Sequence, residues 1–127
     1  MILIKTPSQI DGIRISSKLA AATLKYTANF IKPGVSTDFL NQQAHDYIIS
    51  NKAQPAPLNY NSFPKSICTS INDVVCHGIP SKKEILKEGD IINLDITSIL
   101  NGYFGDISAT YPVGKVSREA QLLIDRT

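Results

Sequence analysis

The chain has 127 residues, of which 43% are apolar and 19% charged. That size and balance suit one collapsing domain, and they exclude a disordered chain or two full domains. Thirteen Lys and Arg against eleven Asp and Glu leave a net charge of +2, with no basic run longer than Lys82-Lys83, so neither nucleic acid nor a membrane surface is expected as a partner.

Apolar stretches reach only four or five residues, far short of a membrane span. Met1–Lys5 runs straight into Thr6-Pro7 with no secretory apolar region, and Cys68 and Cys76 form neither a CxxC motif nor a disulfide framework. Two reduced thiols in a cytoplasmic protein are the expectation.

The first helix opens at Thr6-Pro7-Ser8-Gln9, with Thr6 or Ser8 as its cap, and stops at Pro33-Gly34. Ile10, Ile13, Leu24, Ala28 and Ile31 fall near helical spacing and predict its buried face. Ser36-Thr37-Asp38 caps a second helix whose face is Leu40, Ala44, Tyr47 and Ile48 and which ends before Pro55. The two helices predict a helical hairpin over residues 1–54. His45, beside Asp46, reads as a surface residue.

Residues 55–114 read as antiparallel strands. Ser66–Ile71 and Val74–His77 are expected as short strands around an Asn72-Asp73 turn, followed by Ile91–Ile99 and Tyr103–Val113. Asn101-Gly102 between the last two is the strongest hairpin signal in the chain. Ser117-Arg118-Glu119-Ala120 starts a further helix, expected as the beginning of a linking helix over residues 115–127. The class is α+β.

The hairpin places two carboxylates together. Alternation turns Asn93, Asp95 and Thr97 to one face and Ile92, Leu94 and Ile96 to the other, while Asp106, Ser108 and Thr110 share a face beyond the turn. With Asn101 and Gly102 as the loop, Asp95 pairs with Ser108 and Thr97 with Asp106. Asp95 and Asp106 are then diagonal neighbours, with Cα atoms roughly 7–8 Å apart. Such a pair can share a metal ion or flank two ions ~3.5–4 Å apart. A solvent-facing polar strand face is the other reading, although Asp is depleted in strands and neighbouring carboxylates repel without a cation or proton.

The run from Asn59 to Pro80, including Cys76-His77-Gly78-Ile79-Pro80, resembles type I methionine aminopeptidases. Leu86–Asp95 and Asn101–Asp106 continue the resemblance with matching spacing, so it covers nearly the whole chain. It implies the N-terminal half of a pita-bread fold and removal of the initiator methionine from nascent polypeptides with a small second residue. Two divalent ions, of cobalt, manganese, iron or zinc, are implied as cofactors. Asp95 and Asp106 match two of their ligands, Asp106 bridging both. His77 matches a catalytic histidine that contacts substrate near the scissile amide. Tyr60, Phe63 and Cys68 match the wall of the methionine pocket, Phe63 standing where many members have Tyr. The thioether suits aromatic rings and a soft thiol.

Within that resemblance the chain reads as a single truncated catalytic domain. A second half is expected to bring one histidine and two glutamate ligands, a general base and another substrate-contacting histidine, so the isolated chain is expected to be inactive. It is also expected to expose a sheet edge and an apolar face that favour self-association, although full-length family members are usually monomeric. Ribosome association is a family expectation that no residue here supports. A proline-specific relative of the same fold fits less well than the His77-Gly78-Ile79-Pro80 context. A non-catalytic half-fold that binds a peptide or partner is the alternative from another class.

Overall fold

The computed structural model describes residues 3–127; Met1 and Ile2, which the N-terminal reading above includes, lie outside the described residues. Helix α1 (Pro7–Ala28) starts at Thr6 in a reciprocal capping box: the Thr6 hydroxyl accepts the Gln9 N–H, and the Gln9 side chain accepts the Thr6 N–H. Its buried residues are Ser16, Ala20, Thr23, Leu24 and Thr27. This corrects the expected apolar face: only Leu24 is shared, Ile10 is 45% exposed and Ile31 falls beyond the helix.

The reason is close approach. A Cβ on Gly105 would lie 2.3 Å from the Ser16 carbonyl carbon, so the helix backbone rests against the sheet there. Ser16 and Ser98 seal the contact, each hydroxyl donating to the other's carbonyl at 3.1 Å. Larger side chains would hold the two layers apart. The hydroxyls of Thr23 and Thr27 are satisfied within the helix by the Leu19 and Thr23 carbonyls.

Helix α2 (Thr37–Ser50) is capped by Ser36 and buries Leu40, Ala44 and Ile48. Tyr47 is half-buried and stacks on Tyr26 of α1, ring centroids 4.6 Å apart. The strands β1 (Gln54–Pro55), β2 (Cys68–Ile71), β3 (Ile91–Leu100) and β4 (Tyr103–Pro112) form one antiparallel sheet. β4 flanks the whole of β3 on one side. β2 and β1 share its other side, pairing with Ile92–Asp95 and Ser98–Ile99 respectively. The short β1 was not anticipated from sequence; Pro55 tolerates its edge position because it needs no ladder donor. Ile92, Leu94 and Ile96 meet Leu24, Leu40, Ala44, Ile48, Ile67 and Leu86 in the core between sheet and helices.

A strap over residues 81–87 is sewn to the start of α2. The Thr37 N–H donates to the Glu84 carbonyl at 3.0 Å, the Leu86 N–H to the Val35 carbonyl at 2.9 Å and the Gly34 N–H to the Leu86 carbonyl at 2.8 Å. Helix α3 (Arg118–Arg126) follows, capped by Ser117 as expected. No helix among the described residues is long and apolar enough to cross a membrane.

A candidate metal-binding face on the sheet

The β3–β4 register is the one the two-residue loop dictates: Asp95 pairs with Ser108 and Thr97 with Asp106. Asn101 and Gly102 take φ of 52° and 81°, the left-handed values such a hairpin turn requires. Asp95 and Asp106 therefore lie diagonally on the sheet face away from the helices. Thr97 Oγ1 donates to Asp106 Oδ1 at 3.1 Å and orients that carboxylate. Thr97 was placed on this face by alternation, but its role as a partner was missed; the cross-strand pairing contained the signal.

Asp95 is half-buried and its carboxyl is pushed above the ordinary carboxylate range. Burial is the main cause and the negative charge of Asp106 the next, while His77 pulls in the opposite direction. A group of opposite charge between the carboxylates would remove that penalty. Carboxylate oxygens suit a hard divalent cation. Among the described residues, no three of His, Cys, Asp and Glu converge on one point. The chain thus fits a divalent ion with a donor pair, to which other groups must add.

Cys68 on β2 stands directly across from Asp95 and is buried. Burial, followed by the charge of Asp95, raises its thiol to about 11, so it is a neutral group at physiological pH. Asn41 of α2 fixes the approach to this strand, its Oδ1 accepting the N–H groups of Ser66 at 2.8 Å and Ile67 at 3.3 Å. His45 joins it, with Nδ1 2.8 Å from Ser66 Oγ. His45 is half-buried, which corrects its reading as a surface residue. Its partner lies 21 positions away, beyond the reach of local pattern.

Val74–His77 is not a strand, and β2 is shorter than expected. The Val74 N–H closes a turn on the Ile71 carbonyl at 3.0 Å, after which the chain swings into solvent and leaves Val75 95% exposed. Residues 74–77 therefore form no ladder with β2. The chain rejoins β2 at Gly78, which accepts the Thr69 N–H at 2.9 Å and donates its own N–H to Ser70 Oγ at 3.2 Å. A Cβ on Gly78 would lie 1.9 Å from the Thr69 carbonyl oxygen, so only glycine allows this approach. His77 is thereby held exposed, with φ of 55°, close enough for its charge to act on Asp95. Tyr60 sits in a short 3-10 turn, Tyr60–Ser62, and is 70% exposed; Phe63 follows it, half-buried.

Residues 11–127 match the model of metallopeptidase family M24. The chain belongs to that family. It is 54% identical over 116 residues to a methionine aminopeptidase of Buchnera aphidicola subsp. Acyrthosiphon pisum, covering 91% of this chain and 44% of that protein. Identity is 52% over 126 residues to the methionine aminopeptidase of Rickettsia prowazekii, covering 99% and 48%. The crystal structure of a methionine aminopeptidase from Rickettsia prowazekii superposes with a TM-score of 0.96 at 51% identity, over 98% of this chain and 50% of that one. The chain spans about half the length of the relatives it matches. The fold of this M24 chain is α+β, the N-terminal half of a pita-bread fold, as the resemblance implied.

Proposed function

We propose that the chain carries the aspartate arm of a methionine aminopeptidase that removes the first methionine from new polypeptides with a small second residue. The observation that carries this reading is the pairing of Asp95 and Asp106 on one open sheet face, in the register set by Asn101-Gly102. Similarity to methionine aminopeptidases along nearly the whole chain supports it.

In this proposal Asp95 and Asp106 hold part of the shell of two divalent ions (cobalt, manganese, iron or zinc). The ions would supply Lewis acidity toward the scissile carbonyl and lower the pKa of the attacking water. Thr97 keeps the Asp106 carboxylate turned toward that face. His77, next to the point where Gly78 is tied to β2, donates a hydrogen bond to the substrate near the scissile amide. Cys68, protonated and buried, offers a soft neutral wall to the methionine side chain, with Phe63 and Tyr60 closing around it. The exposed Tyr60 ring gains a contact only when substrate or a further part of the protein covers it. The substrate partner is the N-terminus of a nascent polypeptide, and the compartment proposed is the cytoplasm.

Two aspartates leave most of each ion's coordination to other groups, so the 127-residue chain by itself is proposed to bind divalent metal weakly and to turn over no substrate. The test is a chimaera in which this chain replaces the matching part of the Rickettsia prowazekii enzyme. It is expected to release methionine from Met-Ala-Ser with added Mn²⁺, and to lose that activity with a chelator and in Asp106→Ala. A folded chimaera without turnover, or activity that survives Asp106→Ala, overturns the assignment.

A further inference from the structure

We infer that the groove between the end of α1 and the strap over residues 81–87 docks an acidic, apolar segment of another polypeptide. The groove has a volume of about 480 Å³; its walls include Phe30, Val35, Phe39 and Ile85, with Lys32 and Lys82 also lining it. The Phe30 and Phe39 rings meet edge to face, centroids 5.8 Å apart, and form a stiff wall. Phe39 is 44% and Ile85 42% exposed. Large apolar side chains left in water beside cations mark an interaction surface rather than a core.

The groove is also rigid before anything binds. Backbone hydrogen bonds tie the strap to Val35 and Gly34 on one flank and to Thr37 on the other, so little ordering remains to oppose docking. Charge selects the occupant. The two acids nearest in sequence are engaged elsewhere: Glu84 accepts the Thr37 hydroxyl at 2.9 Å, and Asp38 pairs with Lys65. Among the described residues, Lys32 and Lys82 have no carboxylate within ion-pair distance, and both are exposed. Carboxylates flanking a leucine or phenylalanine side chain satisfy both demands. Two lysines are too few for a nucleic-acid footprint, which needs cations along a backbone.

The helices framing the groove pack on the sheet face opposite Asp95 and Asp106. A segment seated there leaves the carboxylate face free, so the surface tethers a partner without blocking the site.

The test is fluorescence anisotropy of the 127-residue chain with a labelled short peptide of alternating Glu and Leu. Its Lys-for-Glu counterpart and a single-stranded RNA oligonucleotide are measured alongside. Saturable binding of the acidic peptide is expected, weakening as salt is raised. Lys32→Glu with Lys82→Glu is expected to weaken it by about tenfold or more, each reversal turning an attraction into a repulsion. Lys32→Gln with Lys82→Gln should weaken it less, and Asp95→Asn with Asp106→Asn should leave it unchanged. Circular dichroism checks that each variant is folded. No saturable binding, binding indifferent to the lysine changes in folded variants, or equal binding of the basic peptide or RNA through the same lysines overturns the inference.

Discussion

Asp106 shows the tension between stability and chemistry within a single side chain. Its charge raises the carboxyl of Asp95, a cost that the metal-free chain carries in full. Asp106→Asn removes the repulsion and should stabilise the metal-free protein, by no more than a few tenths of a kcal/mol because Asp106 is exposed and screened. Mn²⁺ is expected to raise the melting temperature of the parent chain, and the same change should abolish that rise. A variant that melts lower without metal, or still responds to it, contradicts this account. The cysteines make a second contrast. Cys76 is exposed, whereas Cys68 is buried with its thiol raised to about 11. An acid with a raised pKa keeps its proton longer, so at about pH 8 iodoacetamide should modify Cys76 well ahead of Cys68. The Cys68 rate should climb only as the pH nears 11, and mass spectrometry of the tryptic peptides reads both.

At the scale of elements, the layer contact between α1 and β4 is set by Gly105. A methyl group there overlaps the Ser16 backbone, which cannot give as a flexible side chain could. Gly105→Ala should therefore cost about 1–3 kcal/mol of unfolding free energy by denaturant titration, and a neutral result would mean that the helix slides without penalty. The elements also differ in how far sequence revealed them. The β3–β4 hairpin was legible because a two-residue turn fixes register, and register fixes which side chains share a face. The buried face of α1 was not, because Ser16, Thr23 and Thr27 read as polar and are buried for their small size and satisfied hydroxyls. Val74-Val75 read as a strand on β-branched content, yet the turn closed by the Val74 N–H on the Ile71 carbonyl carries them into solvent, where no ladder partner lies among the described residues. The positions of His45, Asn41 and Ser66 rest on a contact between a helix and a distant strand, which no local period encodes.

Taken whole, the molecule has one sheet face covered by helices and one bearing the carboxylates. The second face carries Phe104, 58% exposed, on β4, whose outer edge pairs with no other strand among the described residues. An open edge beside an exposed aromatic ring is a template for pairing. The isolated 127-residue chain should therefore self-associate at micromolar concentration, and Phe104→Lys should reduce it. A monodisperse monomer by light scattering would count against that.

The hairpin has a further consequence, in time rather than in space. Asp95 and Asp106 come together through contacts between near neighbours in sequence, closed by a single tight turn. Local closures of this kind form in about 1–10 μs, long before pairings between distant segments. The carboxylate pair can thus reach its final spacing early in folding, and parts of the site that depend on later docking then assemble against a template already set.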